Sequence, residues 1–172
     1  LTEEQYHHFV VEGNQITEFG LGEGNAYPIH SWFDFRKGII QIRNNVIRAS
    51  RITNLILLSS SLTGPRNIQI DISGNQALIE KSVDYAIEAP FCTQMNVSGN
   101  QINIGQSEMD DGVIAVSKDS LQSFTYIGNH ITCALVAASS ALKGYDKEDW
   151  LKAKTVHIGN FLNGHQEQQH TL

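Results

Sequence analysis

A short phrase built on asparagine recurs along the whole chain and constrains it more than any other feature. Val11-Glu12-Gly13-Asn14-Gln15-Ile16 returns as Ile42-Arg43-Asn44-Asn45-Val46-Ile47, Ile72-Ser73-Gly74-Asn75-Gln76-Ala77 and Val97-Ser98-Gly99-Asn100-Gln101-Ile102. Shorter echoes are centred on Asn129 and Asn160, so successive asparagines stand 31, 30, 25, 29 and 31 residues apart. A fixed period of this size is the signature of stacked repeats, each burying the apolar face of its neighbour. Around each asparagine the apolar positions alternate, as in Ile40 and Ile42 before Asn45 and Ile47 and Ala49 after it. Period two on both sides of one point means two short strands joined at a tight corner. Glycine or asparagine there supplies the positive φ that such a corner needs.

Recurrence of the corner once per turn stacks the asparagines at about 4.8 Å, the spacing of neighbouring strands. Each amide can then donate to one neighbour and accept from the other, a ladder of Asn14, Asn45, Asn75, Asn100, Asn129 and Asn160. A third strand falls between corners, in Leu55–Leu58, Tyr85–Glu88 and Gly112–Val116. The expected fold is all-β: a right-handed parallel β-helix of about six turns over residues 1–163, with 164–172 as a polar, mobile tail. In the last repeat the inward positions read as slipping to Val156 and Ile158, as though the stack were ending. Residues 19–38 read as an irregular aromatic loop, and 146–152 as a short helix beginning at Asp146.

Charged residues make up 17% of the chain and the net charge is −6, which argues against nucleic acid or an anionic membrane as partner. No apolar run approaches the ~18 residues of a membrane span. The chain starts at Leu1 without an initiator Met or signal peptide, which reads as a mature segment or fragment of a longer protein. Two cysteines, Cys92 and Cys133, read as buried and unbridged, and no histidine or cysteine spacing suits a metal, so no metal or cofactor is expected.

The corner asparagines and three strands per turn resemble the pectate-lyase-like β-helix superfamily, which includes pectate lyases, polygalacturonases and bacteriophage tailspikes. The resemblance covers residues 9–163 as repeat grammar. It implies an extracellular, secreted or virion-borne protein that binds or cleaves polysaccharide, as a hydrolase or lyase. Aligning Ile87 with Ile114 puts Asp84 and Asp111 in one column, with Asp110 beside them and Glu88 sharing their outward parity. Stacked carboxylates raise one another's pKa, which gives the acid and the ionised base that glycoside hydrolysis needs. Polygalacturonases place three aspartates at the start of this strand in consecutive turns, and the resemblance makes Asp84, Asp110 and Asp111 the catalytic candidates. The family's Gly-His-Gly and Arg-Ile-Lys motifs are absent, and Asp-Gly before a strand is also an ordinary turn signal.

Tyr27 and Trp32, with Glu88, are candidates for contacting sugar rings; the same loop rings, Phe33 and Phe35 included, could instead tuck over an apolar face. Asp71 reads as neutralised by Arg43 and Gln41, and Glu12 as the ion-pair partner of Arg43. Outward aliphatics at Val46, Leu55, Leu57 and Leu78 are consistent with a homotrimer. A non-catalytic structural or receptor-binding shaft of a tailspike or adhesin is the alternative to an enzyme.

Overall fold

The computed structural model describes residues 5–19, 24–61, 66–89, 92–109, 112–116, 121–133, 140–143 and 154–171. These form a parallel β-solenoid with no helix. The first turn holds β1 (His7–Glu12), β2 (Gln15–Phe19) and β3 (Ile29–Trp32). The second holds β4 (Lys37–Arg43), β5 (Val46–Ile52) and β6 (Ile56–Ser59). Then come β7 (Asn67–Ser73), β8 (Gln76–Ser82) and β9 (Ile87–Ala89), and after them β10 (Gln94–Ser98), β11 (Gln101–Ser107) and β12 (Ile114–Val116). These four turns have all three strands, fewer than the six expected. The fifth has β13 (Ser123–Ile127) and β14 (His130–Cys133), with Leu142 bridging to Ile114 on the third side. The last has β15 (Lys154–Ile158) and β16 (Phe161–Leu162).

Three sheets run along the stack, one for each strand position in the turn. The registers superpose the repeat on itself: Ile40, Ile70, Met95 and Phe124 share one inward column, and Ile42, Ile72, Val97 and Tyr126 the next. All of these are at most 3% exposed. Each buried aliphatic side chain contributes about 1.5–3 kcal/mol of transfer free energy. Cys92 and Cys133 are both buried, and no disulfide joins them.

The corner is built as the repeat implies, with one refinement. The positive φ belongs to the residue before each ladder asparagine: Gly13, Gly74, Gly99, Gly128 and Gly159 at 61–68°, and Asn44 at 56°. Each asparagine then gives its Nδ2 to the next Oδ1 at 2.8–3.0 Å, from Asn14 through to Asn160. The same Oδ1 also accepts the neighbour's backbone N–H, and the second Nδ2 hydrogen goes to a carbonyl of the preceding turn, as from Asn75 to Ile42 at 2.9 Å. From Asn45 to Asn160 the column is at most 1% exposed, and these bonds satisfy its side chains internally.

Several expectations change. Residues 29–32, expected in a loop, are a strand of the third sheet, because Ile29 pairs with Ile56 and turns inward. Leu55, expected outward, is fully buried, since the chain bends at Thr53 and Leu55 and brings Leu55 and Ile56 into the core together. In the last turn the inward seat opposite Tyr126 belongs to His157, not Val156 or Ile158. Residues 165–171 add β17 (His165–Gln166) and β18 (His170–Thr171), antiparallel to β16 and β15. The helix expected at 146–152 lies outside the described residues.

Candidate functional site

Asp84, Glu88, Tyr27 and Trp32 gather along the third sheet. Ile29, Ile56, Ile87, Ile114 and Leu142 stand in one inward column. This is the alignment of Ile87 with Ile114 on which the carboxylate column depends. Two residues earlier, the same stack runs Tyr27, Asn54, Tyr85, Gly112 and Ser140; one residue later it runs His30, Leu57, Glu88, Ala115 and Lys143. Neither column repeats a residue type in neighbouring turns. No polar ladder can close on itself there, and the polar groups turn to one another across columns.

Glu88 is half-buried on β9 and accepts a hydrogen bond from Asn54 Nδ2 at 3.2 Å. Asn54, only 2% exposed, gives its other amide hydrogen to the Tyr85 carbonyl at 2.8 Å and is thereby fixed. Burial pushes the Glu88 carboxyl above its usual range, and the charge of Asp84 adds to the rise. The Asn54 hydrogen bond and the charge of Lys143 act the other way without cancelling it. Asp84 sits three residues before the inward column, and its Oδ1 accepts the Tyr85 N–H at 2.8 Å.

Lys143 arrives from two turns away. Its Nζ lies 4.3 Å from the centre of the Tyr85 ring, a cation–π contact. The intervening position is Gly112, at φ 145°, where a Cβ would stand 2.7 Å from the Lys143 nitrogen and 2.9 Å from the Ala141 oxygen. Only glycine lets the two turns approach so closely. Sequence reasoning missed Lys143 and Asn54. Asn54 had a signal, being the polar member of the column that contains Tyr85; Lys143 follows the break in the repeat and had none.

The remaining candidates divide. Trp32 is 61% exposed at the far end of β3, on the same outer face as His30 and Glu88. Tyr27 is half-buried, its ring 5.3 Å from that of His30. Phe33 is buried and Phe35 lies between it and His7, at ring distances of 5.1 and 4.9 Å, so these two tuck in. Asp110 and Asp111 lie outside the described residues. Asp71 is held by Asn96 Nδ2 at 2.6 Å rather than by Arg43, which pairs with Glu12 at 3.1 Å. Among the described residues no three His, Cys, Asp or Glu side chains are grouped to hold a metal.

A separate open groove of about 470 Å³ follows the outer face of the second sheet, lined by Val46, Arg48, Leu78, Gln101, Asn103 and His130. It does not reach the Glu88 carboxylate. Ser140, His157 and Glu167 meet inside the solenoid, but all are at most 4% exposed, so no substrate could reach a serine nucleophile there. No protein-family model, curated protein or solved structure matches this chain.

Proposed function

We propose that the chain is a polysaccharide-contacting solenoid of an extracellular or virion-borne protein, and that the outer face of its third sheet hydrolyses a glycan. One observation carries the reading. Glu88 is a half-buried carboxylic acid raised above its usual pKa by burial and by Asp84 beside it, on the face that also carries Trp32 and Tyr85. Glu88 is then the proton donor to the leaving oxygen and Asp84 the ionised partner that activates water or steadies positive charge on the sugar. Trp32 and Tyr27 would offer apolar ring faces to sugars, in keeping with aromatic side chains that have one wet edge.

The test is reducing-end release from a panel of polyuronates and bacterial surface polysaccharides, with Glu88→Gln and Asp84→Asn beside the wild type. Loss of release with retained binding supports the assignment. Full-rate cleavage by both variants removes these residues from catalysis, and absence of binding by the wild type removes the glycan.

The second reading is a non-catalytic shaft assembled as a homotrimer. It is favoured by Leu78 and Val46, 53% and 36% exposed on the second sheet's outer face. Leu57 is outward and half-buried, whereas buried Leu55 has no part in it. Sedimentation equilibrium separates the two readings: a trimer that binds glycan without product release is the shaft.

A further inference from the structure

The last turn is closed differently from every other. Because β13 and β15 pair in register, His157 lies opposite Tyr126 and faces the interior, 1% exposed, with its ring edge-on to the tyrosine at 4.9 Å. After β16 the chain reverses at Asn163 and Gly164, both at positive φ, and returns as β17 along β16. The Glu167 N–H then donates to the carbonyl of Asn160, the last rung of the asparagine column, at 2.9 Å. From there the segment crosses the mouth of the solenoid, and β18 pairs with β15. Residues 165–171 form a strap across this end.

Glu167 is the plug beneath the strap, 4% exposed. One carboxylate oxygen accepts the Ala141 N–H, and the other stands 3.7 Å from His157 Nε2, an ion-pair contact longer than a hydrogen bond. The groups facing it are His157 from β15, Tyr126 from β13, and the Ser140 hydroxyl and Ala141 N–H from the segment bridging to β12. Lys143 of that same segment points outward to Tyr85, and His165 on the strap is exposed. The carboxylate is thus held by the His157 ring and by the Ala141 and Ser140 donors.

We propose that residues 165–171 are an acid-released latch: ionised Glu167 holds the strap shut, and its protonation frees the strap and uncovers the edges of β15 and β16. Burial pushes the Glu167 carboxyl up, but His157, the Ala141 N–H and Ser140 together outweigh burial and hold it below the usual carboxylate range. A depressed carboxylate stabilises the closed form above its unfolded pKa and loses that contribution as pH falls through the folded value. The latch therefore holds at neutral pH and opens in acid, below the usual glutamate value of about 4.3. The burial of Tyr126 and the nearby Glu167 charge push its hydroxyl well above its usual pKa, so it stays neutral throughout.

Amide hydrogen exchange on the whole chain, corrected for intrinsic rates, tests this between neutral pH and about pH 3–4, below the usual glutamate pKa. The expected result is a loss of protection at Glu167, whose N–H is bonded to the Asn160 carbonyl, about tenfold for each pKa unit of depression. Strands β7 and β8 should stay protected. In Glu167→Gln, which keeps an acceptor for the Ala141 N–H, strap exchange should no longer depend on pH. Strap protection unchanged in acid overturns the proposal, as does protection lost only together with β7 and β8. Should Glu167→Gln fail to fold, His157→Gln serves instead: the acid midpoint for strap release should move up toward the usual carboxylate range, and an unmoved midpoint overturns the latch.

Discussion

Two corners of the same solenoid stack their residues in opposite ways. Where the first and second strands meet, one residue type repeats through six turns, and from Asn45 to Asn160 each amide is satisfied by its neighbours. Before the third strand, the column runs Tyr27, Asn54, Tyr85, Gly112 and Ser140, and its polar groups look sideways to Glu88, Asp84 and Lys143. A uniform column leaves no hydrogen-bonding capacity for a ligand. A mixed column cannot close on itself, so it leaves a carboxylic acid half-buried and a lysine on an aromatic face. The first corner satisfies its own polar groups, and the second leaves polar side chains turned toward solvent and one another.

The sharpest way to break this contrast is Asn75→Ala. Asn75 Oδ1 is the acceptor for both the N–H and the Nδ2 of Asn45, at 3.1 and 2.9 Å, all within a column at most 1% exposed. Removing it leaves buried donors without acceptors, and a loss of about 3 kcal/mol or more is expected by urea unfolding. A loss near zero would mean that the ladder decorates the corner rather than holding it.

Gly112→Ala probes the second corner and should cost about 2 kcal/mol, the range for strained backbone at a site built to fit. The added Cβ would meet the Lys143 nitrogen at 2.7 Å, so the turn carrying Lys143 must retreat. The upfield ring-current shift of the Lys143 ε-methylene, expected from its seat over Tyr85, should shrink with it. A shift that stays while stability falls would separate the glycine's backbone role from its part in the cluster.

The first corner was legible in sequence because its signal is repetition, and repetition survives without coordinates. The register of Ile87 with Ile114 followed from the same period. His157 was legible too, since counting three residues back from Asn160 gives it the seat that Ile42, Ile72, Val97 and Tyr126 hold in earlier turns. It was missed because a histidine does not register as apolar, and Val156 and Ile158 beside it do. Glu167 was hidden for a deeper reason. Its burial depends on two antiparallel strands of two residues each, which obey no period; Asn163-Gly164 marks the reversal, but nothing in the sequence marks where the returning chain lies. Lys143 likewise owes its place to a stack interrupted at Gly112, and an interruption leaves no echo.

Asn14→Ala sharpens the comparison from within the ladder. Asn14 makes the same 2.9 Å bond to Asn45 Oδ1, but it is exposed at the open end of the column. The Asn45 oxygen keeps the backbone N–H of residue 14 at 3.0 Å, and water takes the place of the lost amide. The expected loss is about 0.5 kcal/mol. A cost equal to that of Asn75→Ala would show that burial is not what makes the column matter.

The smallest effect has the opposite sign. Glu88 has a raised pKa in the folded chain, so ionising it costs more there than in the unfolded chain. That penalty is absent below the usual carboxylate range and grows as pH rises through the folded value. Glu88→Gln keeps an acceptor for Asn54 Nδ2 and removes the charge. At neutral pH it should gain stability, by less than about 0.5 kcal/mol once solvent screening is allowed for. Near pH 3, below the usual glutamate value of about 4.3, the carboxyl is protonated in both states and the gain should shrink toward zero. A stability gain bought at the expense of glycan cleavage would mark Glu88 as a group kept for chemistry. A loss of stability at neutral pH would instead make it a structural tie between Asn54 and Lys143, and the two corners would then differ in composition but not in purpose.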